Sequence, residues 1–145
     1  MPMTDTQEIA RLLARTKVIA IVGLSPKADR PSHGVAKFLL ARGYDIIPVN
    51  PACAEILGRQ CYQDLAAIPR AVDMVDVFRK SEDVLPIAQE AIRIGAQSLW
   101  LQLGVVNQQA AALAEAAGLA VVQDHCLKIE YAKRFGVQSV DAVSV

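Results

Sequence analysis

The sequence predicts an α/β protein built on a parallel sheet with helices on both faces, and three observations predict it. Short apolar runs rich in Val, Ile and Leu recur along the chain, as strands buried on both faces require. Amphipathic helix patterns separate them. One grammar also repeats in LLARGYDIIPV, AIRIGAQSLWL and AEAAGLAVVQ: a helix end, a glycine (Gly43, Gly95, Gly118), then a strand. Glycine there takes the left-handed conformation that stops a helix at little cost. Strict alternation with right-handed crossovers gives a single Rossmann-like, doubly wound, five-stranded sheet, with expected strand order 3-2-1-4-5.

The first strand is read over Val18–Val22 and ends at Gly23. A polar loop follows, and Ser32 is a good N-cap for a helix through Val35, Phe38 and Leu39. The second strand, Asp45–Val49, runs into Asn50 and Pro51. The third is Asp73–Phe78. In the helix after it, Val84, Ile87, Ala88, Ala91 and Ile92 form one apolar face, with Ser81 as its expected cap. The fourth strand is Ser98–Leu101, followed by a helix capped by Asn107, and the fifth is Ala120–Gln123. Residues 1–136 are assigned to one domain and residues 137–145, VQSVDAVSV, to a weakly ordered tail.

At 145 residues the chain is long enough for a real core. Fifteen Lys and Arg balance fifteen Asp and Glu, so no overall field favours nucleic acid or an anionic membrane. No apolar run approaches the ~18 residues of a membrane span. The N-terminal MPMTDTQEIARLLART carries Asp5 and Glu8 and lacks the pattern of a signal peptide. Cys53, Cys61 and Cys126 are odd in number and form no C-x-x-C, so reduced thiols and a cytoplasmic location are expected, with no metal site.

In doubly wound sheets ligands bind outside the carboxyl ends of the strands, near the topological switch point, here expected between strands 1 and 4. Gly23 allows a tight turn out of strand 1. Free N–H groups at that helix start, around His33 and Gly34, would form an anion site, with Lys27 and Arg30 adding positive charge suited to a phosphate. The alternative is an ordinary surface loop with solvated charges. G-x-G-x-x-G is absent, and the end of strand 2 offers Asn50 and Pro51 where an NAD site would carry an acidic residue for the ribose.

VGLSPKADRPSHGVAKFLLARGYDIIPVNP, LGRQCY, VDMVDVFRK, LWLQLGV and DHCLKIEY together resemble, in order and spacing, the small stand-alone CoA-binding proteins. These are relatives of the CoA-binding domain at the N-terminus of the succinyl-CoA synthetase alpha subunit. The resemblance runs from about Lys17 to Lys133. It implies that Gly23, Ser25 and the Ser32–Gly34 helix start wrap the CoA diphosphate, and that Val49–Pro51 form the turn beside the nucleotide. Phe78, Arg79 and Lys80 match the loop bordering the adenine nucleotide, and Gln102, Leu103, Gly104 and Val105 the turn after strand 4. The synthetases continue from that nucleotide turn with a basic residue. Cys53 falls near its place, so Lys27 or Arg30 is expected to substitute.

Those synthetases carry the phosphorylated histidine in a second domain, so ligase activity by this chain alone is not expected. Asp124, His125 and Cys126 look like a catalytic cluster, but neighbouring strand residues face opposite ways. Cys126 is either a small buried side chain or a thiol near the pantetheine end of CoA; Phe78 is either core or a surface for adenine. The expected function is binding of coenzyme A or an acyl-CoA, as a sensor, a carrier, a homodimer or the partner of a separate enzyme. A second reading is a small NAD(P)-dependent oxidoreductase or CoA-linked transferase.

Overall fold

A computed structural model describes residues 2–144; Met1 and Val145, the ends of the expected domain and tail, lie outside the described residues. In chain order the elements are α1 (Thr6–Arg15), β1 (Val18–Val22), α2 (Pro31–Ala41), β2 (Asp45–Val49), β3 (Glu55–Ile56), β4 (Arg59–Gln60), β5 (Met74–Val77), α3 (Val84–Arg93), β6 (Ser98–Leu101), α4 (Gln108–Ala116), β7 (Ala120–Val122) and α5 (Leu127–Phe135). Helix α1 was not foreseen. Its signals are Asp5, whose carboxylate accepts the Gln7 and Glu8 N–H groups, and Ile9, Leu12 and Leu13 on one buried face.

Strand period two divides the core between the faces of the sheet. Ile19, Ile21, Ile46, Met74, Trp100 and Val122 pack with α1, α2 and α5. Ala20, Val22, Ile47, Val75, Val77, Leu99 and Leu101 pack with α3 and α4. The sheet is thus parallel, five-stranded and covered on both sides, as the sequence predicts.

The strand order is β2-β1-β5-β6-β7. Counting the five parallel strands alone this is 2-1-3-4-5, so the third strand lies beside the first and not outside the second, where the expected 3-2-1-4-5 had it. The outer edge of β2 is already occupied. The antiparallel β3–β4 hairpin folds there, Val49 bridges in parallel to Tyr62, and the Tyr62 N–H donates to Pro48 O at 3.0 Å. Arg59 and Arg70 both reach the Asp45 carboxylate, at 2.6 and 2.7 Å, and clamp this segment to the start of β2.

Gly43, Gly95 and Gly118 all have φ between 77° and 98°, the left-handed stop that the repeated grammar predicts. Residues 138–143, expected to be weakly ordered, instead pack on the domain. Val140 is buried, its N–H donates to Arg42 O at 2.7 Å, and Asp141 pairs with Lys17. No helix of the described residues is long and apolar enough to cross a membrane.

Candidate ligand site

The observed order moves the switch point to the gap between β1 and β5, which brings the loop after Val22 directly against the loop after Val77. Gly23 has φ +87°, and a Cβ built on it would run into the Phe78 carbonyl. Its N–H donates to Val49 O at 3.1 Å, while the Phe78 N–H donates to Val22 O at 2.9 Å. One backbone position thus joins the ends of β1, β2 and β5, and only glycine fits it.

The next turn is organised by two serines. Ser32 Oγ accepts the Ser25 N–H at 3.0 Å, and Ser25 Oγ accepts the Lys27 N–H at 3.1 Å. Ser32 is therefore not the N-cap. Arg30 holds that place without a side-chain cap, and Pro31 occupies the first helical position, where its fixed φ suits the helix and its missing N–H costs nothing. The expected free amides at His33 and Gly34 are also corrected. Both donate to Arg30 O, at 3.1 and 3.3 Å, so the helix start is tighter than a fully open anion nest. Positive charge at this end comes from the exposed Lys27 and Arg30 side chains.

Asn50 serves as a brace. Its Nδ2 donates to Leu24 O at 2.9 Å and its Oδ1 accepts the Ala52 N–H at 2.8 Å, tying the β1 loop to the β2 turn. Gly104 is held similarly, its N–H donating to the Asp124 carboxylate at 2.7 Å. Ser81 is not the cap of α3; it opens a short 3-10 turn and its Oγ accepts the Val106 N–H, linking the loops after β5 and β6. Asn107 does cap α4, accepting from the Ala110 N–H.

Three depressions adjoin along this edge. One of about 360 Å³ is lined by Gly23, Ser25, Lys27, Arg30 and Ser32, with Phe78 as its far wall. Past Phe78 a cleft of about 650 Å³ opens between α2, the β5 and β6 ends and α5, with Val35, Val105, Cys126 and Ile129 as apolar walls and Gln102 as a polar group. Arg79 separates it from a pocket of about 160 Å³ on the opposite face, floored by Val22, Val49, Pro51, Leu65 and Ile87 and rimmed by Asp64 and Glu90. Of the expected site residues, Gly23, Ser25, Lys27, Arg30, Ser32, Pro51, Phe78, Arg79, Lys80 and Gln102 line these spaces. His33, Gly34, Asn50 and Gly104 do not, though Gly34 has open space around it. Leu65 and Ile129 were not foreseen. Ile129, an apolar residue between Lys128 and Glu130, was the legible signal.

His125 does not join Cys126 in a pair. Its backbone carbonyl accepts the Trp100 indole N–H at 2.8 Å, and its Nδ1 meets Gln123 O. Beneath the cleft Asp76 is fully buried, in register between Ile21 and Trp100 and on the Met74 face of β5. Neither carboxyl oxygen has a hydrogen-bond partner among the described residues. Burial pushes its pKa well above the usual carboxylate range, outweighing the opposing effect of the Val77 backbone. Among the described residues no cluster of His, Cys, Asp and Glu is placed to hold a metal ion.

Against known proteins, residues 17–132 match the family model of the CoA binding domain. The chain is 42% identical over 125 residues to the uncharacterized protein YneT of Bacillus subtilis, covering 86% of this chain and 93% of that protein. A solved hypothetical protein from Pyrococcus horikoshii superposes with a TM-score of 0.87 at 38% identity, covering 92% of this chain and 95% of the other. The chain is also 26% identical over 121 residues to the ADP-forming acetate–CoA ligase I of Archaeoglobus fulgidus, 77% of this chain but only 18% of the ligase. By the length of the family match and the near-complete overlap with its relatives, this chain belongs to the CoA-binding domain family.

Proposed function

We propose that the protein binds coenzyme A along the carboxyl edge of the sheet and acts as a binding protein, a sensor or carrier of CoA or the partner of a separate enzyme. The diphosphate takes the depression after β1, the adenosine takes the pocket beyond Arg79, and the pantetheine arm runs past Phe78 into the larger cleft. The observation that carries this is the meeting of three contiguous spaces at Phe78 and Arg79, with Lys27, Arg30, Arg79 and Lys80 around them. None of these four cations takes part in an ion pair among the described residues. By contrast Arg59, Arg70 and Arg134 are committed to carboxylates. Phosphate groups are the natural partners of uncommitted guanidinium and ammonium groups.

The dinucleotide reading lacks its acidic acceptor. Asn50 stands at that position, and both ends of its amide are already used within the protein. Titration calorimetry is expected to show binding of CoA and none of NAD; comparable affinity for NAD, or no heat with millimolar CoA, would sink the assignment. Arg30→Ala and Arg79→Ala are each expected to weaken CoA roughly tenfold to a hundredfold, as loss of a charge-assisted hydrogen bond does, with an unchanged melting temperature. A lowered melting temperature at constant affinity would show instead that these residues are structural.

The diphosphate and the 3′-phosphate of CoA sit at different ends of the nucleotide, so the tight start of α2 cannot serve both. The second phosphate needs its own cation, and the four uncommitted ones are the supply. Dephospho-CoA is expected to bind at least tenfold more weakly than CoA, the gap shrinking with added salt because the cations are exposed. Equal affinities would put the 3′-phosphate in solvent.

A further inference from the structure

The larger cleft is apolar far beyond what a thiol requires, and on the CoA reading that decides which form of the coenzyme it takes. We propose that the preferred ligand is an acyl-CoA of medium chain length, its acyl chain lying in the cleft between α2, the β5–β6 ends and α5. Val35, Phe78, Val105 and Ile129 supply its apolar lining, and the phosphate depression adjoins it at Phe78. Leu103 and Ile129 stand at the mouth, 64% and 51% exposed, so their apolar surface is uncovered while the cleft is empty. A chain threading between them covers both. Arg79 and Lys80 line this cleft, and Lys27 and Arg30 line the adjoining depression beyond Phe78, so phosphate charge and hydrocarbon have neighbouring places along one edge.

Gln102 supports the placement. It is only 5% exposed. Its Oε1 accepts the Leu127 N–H, which fixes the amide orientation and leaves Nε2 as the group facing the cleft. That N–H₂ has no partner among the described residues and is not sealed from the cleft. It is a donor for a carbonyl oxygen such as that of a thioester, which free CoA lacks at its thiol end.

Calorimetric titration of the full chain with CoA, acetyl-CoA and octanoyl-CoA tests this. Burying about two methylenes is worth roughly tenfold in affinity, so octanoyl-CoA is expected to bind at least tenfold more tightly than CoA, with acetyl-CoA between them. In the Leu103→Ser/Ile129→Ser double variant, both exposed positions, the octanoyl-CoA to CoA affinity ratio is expected to fall below about threefold, and that ratio rather than the affinity for CoA itself is the readout. Equal binding of CoA and octanoyl-CoA by the unaltered protein, or a gap that persists in the double variant, overturns the proposal while leaving CoA binding intact. Absence of binding by all three ligands overturns the coenzyme reading itself, a result distinguishable from the first.

Discussion

Asp76→Val is expected to stabilise the protein by ~2–3 kcal/mol near pH 8, raising the melting temperature by about 5–10 °C. The wild-type carboxyl is fully buried in the middle of the sheet, with no hydrogen-bond partner for either oxygen among the described residues. An unsatisfied polar group in such a place costs about 1–3 kcal/mol even when neutral, and more when charged. Valine is apolar, comparable in size and suited to a strand between Ile21 and Trp100. The pH dependence separates the charge from the packing. The folded pKa is raised, so the unfolded chain releases this proton first. The wild-type protein therefore loses stability as pH rises above the unfolded value of about 3.9 and toward the raised folded value. The difference between variant and wild type should be smallest near pH 4, where only the unpaired neutral carboxyl counts, and should grow as pH rises toward the raised folded value. Asp76→Asn should remove the pH dependence but recover less stability, because its amide remains unpaired. Thermal melts across that range check all three statements; a variant that is less stable than wild type at every pH would mean that Asp76 has a partner the protein depends on.

The place of this buried carboxyl in the strand that leads to Phe78 has a structural correlate. Asp76 precedes Phe78 by two residues on the same face of the sheet, so it lies under the wall shared by the phosphate depression and the large cleft. Stability and the shape of the site are coupled through this one short strand.

What could be read from the sequence divides along physical lines. Alternation of apolar runs and glycine-stopped helices fixes which segments are strands, because burial on both faces admits only such runs, and β1, β2 and β6 begin and end where expected. Strand order was less legible. It turned on a hairpin of two-residue strands around Leu57 and Gly58, both at positive φ, in a segment with no apolar periodicity to announce it. Once that hairpin and Tyr62 cover the edge of β2, β5 has only the free edge of β1 to pair with. Local capping was legible where a side chain bonds its own helix, as at Asn107. It misled where a serine reaches across a loop, since Ser32 and Ser81 satisfy amides of neighbouring loops. Cations at the site were legible as residues, because their loop positions follow from the strand ends. The apolar walls from α5 were not, since they depend on which helix crosses over the switch point.

Gly23→Ala carries the largest expected cost. The position has φ +87°, where a non-glycine residue costs about 1–3 kcal/mol before any contact is considered. The added methyl group also meets the Phe78 carbonyl, which is backbone and cannot rotate away as a side-chain tip could. Relief requires β1 and β5 to separate at their carboxyl ends, breaking the Phe78 N–H bond to Val22 O or the Gly23 N–H bond to Val49 O. A loss of ~3–4 kcal/mol in folding stability is expected. Any folded protein that remains should bind CoA at least a hundredfold more weakly, because Phe78 stands between the phosphate depression and the large cleft and Arg79 between that cleft and the third pocket. Gly34→Ala is the matched comparison. It lies inside α2 at ordinary φ with nothing within 4 Å of an added Cβ, so alanine should leave stability unchanged or raise it by about 0.5–1 kcal/mol. If a ligand passes over the start of α2, Gly34→Ala should weaken CoA binding without any loss of melting temperature. Denaturant unfolding and CoA titration of the two variants together separate the roles: equal stability in both would mean that the β1–β5 junction yields more easily than its backbone contact implies, and unchanged affinity in Gly34→Ala would place the diphosphate on the Lys27 side of the loop.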